Sequence, residues 1–380
     1  MSADARAAAA TPEKIVRSSR DPEELRRRLE RWLRARLPHA EPGVTSLQGT
    51  SANGMSSETL LVVAEWSEDG KRGPHPMVVR VAPAGGDVPV FPSYRLDHQF
   101  QVIRSVGELT SVPVPRVGWY EPDASVLGAP FFTMERLSGV VPPDVPPYTF
   151  GNNWLYDATP AQRRTLQDAT VDVLATLHRI DRPEQRFAFL DAGAGGASPL
   201  RRRLQRSRDW YEWVAADFTR SPLIDAAFAW LEANFPREEG PPVLCWGDSR
   251  IGNVMYRDFR PVAVLDWEMA CVGPPELDVL WLVYAHRVFE EINEALGLPP
   301  MPAFLRADEV CAHYQALTGY PCRDLEWFMT HAAVQFSIVG LRTGQRAIHF
   351  GERERPADVD ELLYNRAGVA RKLSGAPWIG

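Results

Sequence analysis

Residues 243–281 read VLCWGDSRIGNVMYRDFRPVAVLDWEMACVGPPELDVLW, and this stretch decides how the remaining chain is understood. Asp248 precedes Asn253 by five positions. A short apolar run, a turn composition at Asp258-Phe259-Arg260-Pro261 and a second apolar run then lead to Asp266 and Glu268. The two runs predict a strand, a turn and a strand that deliver carboxylates close to one amide. Asp248 and Asn253 have the interval of a kinase catalytic loop, D-x-x-x-x-N. Moving a γ-phosphoryl group needs a base for the acceptor hydroxyl, Mg²⁺ on the phosphates and donors that hold them in line. A carboxylate at 248 suits the first task. Hard oxygens at Asn253 and Asp266 suit a Mg²⁺ ion that keeps several waters, with Glu268 as a further metal candidate or a residue just behind the ligands.

The chain around this stretch has 380 residues, enough for two domains. With 45% hydrophobic and 24% charged residues it reads as an ordinary folded protein. The first 40 residues carry ten Lys/Arg against six Asp/Glu, so against an overall charge of −7 the remaining 340 carry −11. An acidic body argues against nucleic acid as a partner, because phosphate backbones demand a basic footprint. Neither a signal-peptide apolar region nor a membrane-length run is visible, so the expectation is a cytoplasmic protein with no membrane partner. Cys245, Cys271, Cys311 and Cys322 show no metal spacing and read as buried free thiols. Only three lysines occur, Lys14, Lys71 and Lys372, so arginine carries nearly all the positive charge.

Pattern gives an order of elements. Residues 21–37 carry an Asp-Pro-Glu-Glu start signal and apolar positions at helical spacing. TLLVVAEW (59–66) and PMVVRVAP (76–83) flank a Glu-Asp-Gly-Lys turn and predict a hairpin. A helix follows from Arg95 to Gly107, then strands in 112–121 and 131–137. Beyond a stretch with several prolines at 140–156, helices are predicted at 161–180, 199–218, 222–235, 276–296, 307–318, 323–343 and 357–374. The fold class is therefore α+β. The expected division is a helical N-terminal extension, 1–40, a small lobe of β-sheet plus helix, 41–137, and a larger helical lobe, 138–380.

WGDSRIGNVMYRDFRPVAVLDWE is similar to the catalytic segment of the aminoglycoside phosphotransferase family, whose pattern is H-G-D-x-x-x-x-N followed by a strand ending in I-D-W or I-D-F-E. The resemblance covers roughly residues 44–290. It implies a protein-kinase-like two-lobed fold with a small β-rich N-lobe and a larger, mostly helical C-lobe. It implies Asp248 as catalytic base, Asn253 and Asp266 as magnesium ligands and Asp278 as support for the loop. ATP or GTP would be the nucleotide, with Mg²⁺. Trp246 stands where the family has His, so the brace that His provides has to come from elsewhere or from packing. Arg250 occupies the place of the protein-kinase catalytic-loop lysine and is expected to contact the transferring phosphoryl.

Other positions follow from the same likeness. Ser56 and Ser57, in GTSANGMSSET, fall on the loop over the phosphates. Arg80 is the one cation in PMVVRVAP for the strand position that pairs with phosphate, with Gln99 or Asp97 as its helix partner. FFTMERLSG corresponds to the hinge, where Glu135 and Leu137 would meet the adenine edge through their backbones and Met134 would line the pocket. His178 reads as structural.

The acceptor is expected to be a hydroxyl-bearing small molecule. Tyr148, Trp154, Trp210, Trp213 and His286 are the candidates to touch it. Their many rings and scattered acids suit an amphipathic molecule better than a polycation. Trp246 and Gln99 favour an alternative, a pseudokinase or nucleotide-binding protein without turnover. Asp248, Asn253 and Asp266 favour the enzyme. Neither D-F-G nor A-P-E is present, which argues against a protein kinase. Oligomeric state is open.

Overall fold

In the computed structural model, residues 21–49, 58–83, 88–191 and 197–379 are described. They fall into two compact units: the described residues up to Pro89 with Gly118–Arg136, and Val90–Val117 with the chain from Leu137 onward.

The first unit is a five-stranded sheet with one long helix. Its strands are β1 (Gly43–Gly49), β2 (Glu58–Glu68), β3 (Lys71–Val81), β4 (Val117–Glu121) and β5 (Phe131–Glu135), in the order β1-β2-β3-β5-β4. The expected hairpin is β2–β3, antiparallel from Glu58↔Val81 to Glu68↔Lys71. Its two loop residues, Asp69 and Gly70, have φ of 51° and 75°, the left-handed pair that matches strand twist. β1 is an additional strand. In GVTSLQG only Val44 is buried, so no alternation announces it. β4 starts only at Val117 because Pro113 and Pro115 supply no N–H to a ladder.

The helix is α1 (Pro22–Arg36), capped by the Asp21 side chain on the Glu23 N–H at 3.0 Å. Leu25, Leu29, Trp32 and Leu33 bury against Val44, Leu60, Val62, Val79 and Phe131, so α1 belongs to this unit's core. The Trp32 indole and the Arg36 guanidinium each donate to Glu121 Oε2 at 2.7 Å. The arginines on its outer face meet glutamates of the same helix, as in Arg26–Glu23 and Arg28–Glu24. A four-residue α3 (Ala124–Leu127) follows β4.

The second unit is mostly helical: α2 (Leu96–Leu109), α4 (Pro160–Leu177), α5 (Pro183–Arg186), α6 (Pro199–Ala216), α7 (Pro222–Ala233), α8 (Glu276–Leu296), α9 (Ala307–Thr318), α10 (Leu325–His349) and α11 (Arg366–Leu373). The Thr-Pro and Ser-Pro starts of α4, α6 and α7 are capped by Thr159, Ser198 and Ser221, which accept from the N–H three residues on. The expected 357–374 helix is broken into a 3₁₀ turn, Val359–Leu362, and α11. At the break the buried Asn365 bonds Tyr284, Ser337 and the Ala333 carbonyl. Two small ribbons carry the opening stretch: β6 (Val243–Cys245) with β9 (Cys271–Gly273), and β7 (Val254–Arg257) with β8 (Arg260–Val264). All four cysteines are free, Cys245 and Cys271 buried and Cys311 and Cys322 half-buried. No helix among the described residues is long and apolar enough to cross a membrane.

Candidate active site

The loop between β6 and β7 is built on one buried carboxylate. Asp278, in the first turn of α8, is fully buried and accepts the backbone N–H groups of Trp246 at 2.7 Å and Gly247 at 2.8 Å. The His178 Nε2 lies 3.1 Å from the same carboxylate and the Tyr314 hydroxyl 2.8 Å from Nδ1. Ser249 Oγ donates to the Asp278 carbonyl at 2.8 Å. Ligand-type atoms of His178, Cys245 and Asp278 come within 4.8 Å of one another, but the Asp278 oxygens are occupied by N–H donors, so the cluster is a brace. Gly247 is required here. Its φ is +93°, and a Cβ would sit 2.1 Å from the Met269 carbonyl oxygen.

Asp248 then emerges with each oxygen engaged. Oδ1 accepts the Trp281 indole N–H at 2.8 Å, and Oδ2 accepts Asn253 Nδ2 at 2.6 Å. The Asn253 amide also donates to the Asp248 carbonyl at 3.1 Å, so its nitrogen is committed and Oδ1 is the atom left for a cation. The Asn253 carbonyl accepts the Leu265 N–H at 2.8 Å, which ties Asp266 to the loop. The Trp246 indole donates to the carbonyls of Leu265 at 2.8 Å and Asp266 at 3.0 Å. The residue that departs from the family's His therefore supplies a brace itself. Asp266 holds φ of +58°, a conformation uncommon for a non-glycine residue.

Arg250 lies beside Asp248, its Nε 3.3 Å from Oδ2, and its Nη1 donates to Asp144 Oδ2 at 2.5 Å. Burial works to lower its pKa. The charges of Asp248, Asp144 and Asp266 override that and hold it above its ordinary value. Hard oxygens from Asn253 and Asp266 next to this loop are a donor set that fits Mg²⁺. Glu268 is half-buried and lies near Tyr94, whose pKa is pushed up by burial first and by Glu268 second.

The remaining candidates are placed as follows. Arg80, half-buried on β3 opposite Phe132, donates to Thr59 Oγ1 at 3.3 Å. Asp97 is gripped by Arg95 through two hydrogen bonds, at 2.9 and 2.6 Å, and Gln99 is buried in α2. Met134 and Glu135 close β5 opposite Val78 and Met77, and Leu137 follows half-buried. Ser56 and Ser57 lie outside the described residues.

Among the acceptor candidates, Tyr148 and His286 are interior groups. The Tyr148 hydroxyl is 2.7 Å from His286 Nδ1 and both rings pack on Phe304. Trp210 is buried too, stacked on Phe91 with its indole on the Val90 carbonyl. Aromatic spacing cannot separate packing rings from lining ones, and these three pack. Trp154 and Trp213 are half-buried, Trp154 against Phe259 and Trp213 under the Arg342 guanidinium at 4.2 Å.

Two residues were missed from sequence. Trp281 lies three positions after Asp278 on α8, so helical spacing puts it on the same face. Asp144 carried no local signal, because its partner is 106 residues away.

Comparison with known proteins bears on the family and the fold. The profile of the phosphotransferase enzyme family matches residues 53–320. Acyl-CoA dehydrogenase family member 11 of Homo sapiens is 28% identical over 315 residues, 78% of this chain and 37% of that protein. The chain spans less than two fifths of the length of the curated relatives it matches. A structure described as an aminoglycoside phosphotransferase from Ralstonia eutropha superposes with a TM-score of 0.62 at 22% identity, covering 91% of this chain and 96% of that one. A thermostable mutant of aminoglycoside phosphotransferase APH(4)-Ia, in complex with ADP and hygromycin B, gives 0.53 at 16%, covering 92% and 99%. The chain belongs to the phosphotransferase enzyme family and has its kinase-like, two-lobed α+β fold.

Proposed function

We propose that the protein transfers the γ-phosphoryl group of ATP or GTP, with Mg²⁺, to a hydroxyl of a small molecule. The observation that carries this reading is the Asp248–Asn253 pair, hydrogen-bonded at 2.6 Å and joined through the Asn253 carbonyl to the segment bearing Asp266. A base and two metal-type oxygens are thereby held as one unit. Asp248 orients the acceptor hydroxyl and takes its proton. Arg250 balances charge on the transferring phosphoryl. Asn253 and Asp266 would hold Mg²⁺, which when bound neutralises phosphate charge. Arg80, Ser56 and Ser57 are assigned to the phosphates and the backbone of Glu135 and Leu137, with Met134, to the base.

The names of the curated relatives, an acyl-CoA dehydrogenase and an acyl-CoA dehydrogenase family member, support starting with acceptors of related chemistry. A hydroxylated acyl thioester is the first class to test, followed by other amphipathic alcohols and antibiotics. The experiment is a Mg²⁺-nucleotide phosphorylation screen read by mass gain of the acceptor. Asp266→Ala is expected to abolish metal-nucleotide binding. Asp248→Ala is expected to spare binding and lower kcat by roughly 10²-fold or more. Equal loss of binding in both variants refutes this division of roles. Binding with no mass gain on any acceptor favours a nucleotide-binding protein without turnover.

A further inference from the structure

Arg250 has two carboxylates to choose from, and its geometry is unequal. Its Nη1 is 2.5 Å from Asp144 Oδ2, while its Nε lies 3.3 Å from both oxygens of Asp248, at the long end for N–H···O. Asp144 makes the shorter contact. Without it, the guanidinium has the negative Asp248 carboxylate beside it and would close on it in the bidentate form that arginine prefers.

The segment carrying Asp144 is fixed with respect to the loop. Val140 and Tyr256 exchange backbone hydrogen bonds at 2.9 and 2.7 Å, anchoring the segment to β7 just after Asn253. Asp144 itself bridges to Pro147. The pair also lies directly on the loop backbone. A Cβ at Gly252 would be within 2.6 Å of Asp144 Oδ1 and would meet the end of Arg250 as well. That packing costs something, because Asp144 Oδ1 is buried with no hydrogen-bond partner.

We infer that Asp144 is a positioning residue that holds Nη1 of Arg250 away from Asp248, so that the guanidinium touches the base through Nε alone and keeps its remaining face for the phosphoryl. The inference rests on the phosphotransferase reading above and assigns Asp144 a role in it.

The test is a cycle of Asp144→Ala, Arg250→Ala and the double variant, assayed with Mg²⁺ and nucleotide on an accepted substrate. Asp144→Ala is expected to lower kcat by about tenfold or more, 1.4 kcal/mol on the barrier, with the nucleotide KM unchanged within about twofold. The double variant is expected to be no slower than Arg250→Ala, because Asp144 acts through Arg250. Loss equal to the product of the two single losses overturns the inference, as does an Asp144→Ala kcat within twofold of the parent. Asp144→Asn keeps the shape and carries the same test if Asp144→Ala does not fold. A crystal structure of the Asp144 variant supplies a readout that needs no acceptor. A second guanidinium nitrogen is expected to join Nε in hydrogen bonding to Asp248, and an unmoved guanidinium overturns the inference. If the parent protein phosphorylates no acceptor while the guanidinium does move, the functional reading fails and the positioning geometry stands.

Discussion

At the scale of single residues, Trp281 and Trp246 do work that no catalytic motif names. The Trp281 indole N–H is bonded to Asp248 at 2.8 Å while its ring packs on Phe336 at 4.9 Å. Trp281→Phe keeps the ring and removes the donor. A hydrogen bond to a charged acceptor is worth about 1.5–3 kcal/mol, so kcat is expected to fall about tenfold or more with acceptor KM nearly unchanged. A larger effect on KM than on kcat would show instead that Trp281 binds the acceptor. Trp246→Phe removes the bonds to the Leu265 and Asp266 carbonyls. Its expected signature is weaker metal-nucleotide binding by calorimetry, with secondary structure intact. The meeting of Asp248 with Asn253, and of Asn253 with the segment bearing Asp266, was legible in sequence because their spacing is local. Asp144 and the bond of Trp281 to Asp248 were not, because those meetings are made by the fold across 106 and 33 residues.

At the scale of elements, the loop between β6 and β7 is held by three helices through one chain of side chains: α9 offers Tyr314, His178 caps the end of α4, and α8 contributes Asp278. Removing Asp278 would leave two buried backbone N–H groups without their acceptor. Each such orphan costs about 1–3 kcal/mol, so Asp278→Ala is expected to lower unfolding free energy by a few kcal/mol in a denaturant titration. An unchanged midpoint would show that water replaces the carboxylate. His178→Phe, which spares the backbone acceptor, is expected to cost less. The helices were legible wherever a cap and an apolar face coincide, as at Thr159-Pro160 and Ser198-Pro199. β1 was not, since one buried side chain in seven leaves no period to read. The length of α10 was underestimated because it is buried nearly all round, and Arg342, Gln345 and Arg346 are interior, which reads in sequence as a polar helix end.

At the scale of the whole molecule, order of pattern was enough for fold class: strands before helices, with the β7–β8 hairpin inside the helical part. Composition was a poorer guide to titration, because that depends on burial. His286 and His331 are buried in the second unit, and burial lowers their pKa values to about 4 and about 3, with Arg203 adding to the effect at His331. The unfolded chain protonates both near pH 6.5. As pH falls below that value the unfolded state binds protons that the native state refuses, so stability falls, by up to about 1.4 kcal/mol per pH unit for each histidine until its folded pKa is reached. Glu276, Glu290 and Glu291, raised above their ordinary values mainly by burial, act in the opposite direction, since the native state protonates them first. The histidine contribution is therefore read from a difference: the His286→Gln/His331→Gln variant is expected to lose less stability than the parent between pH 6.5 and 4. Parallel profiles would mean that these imidazoles are reached by water and titrate alike in both states.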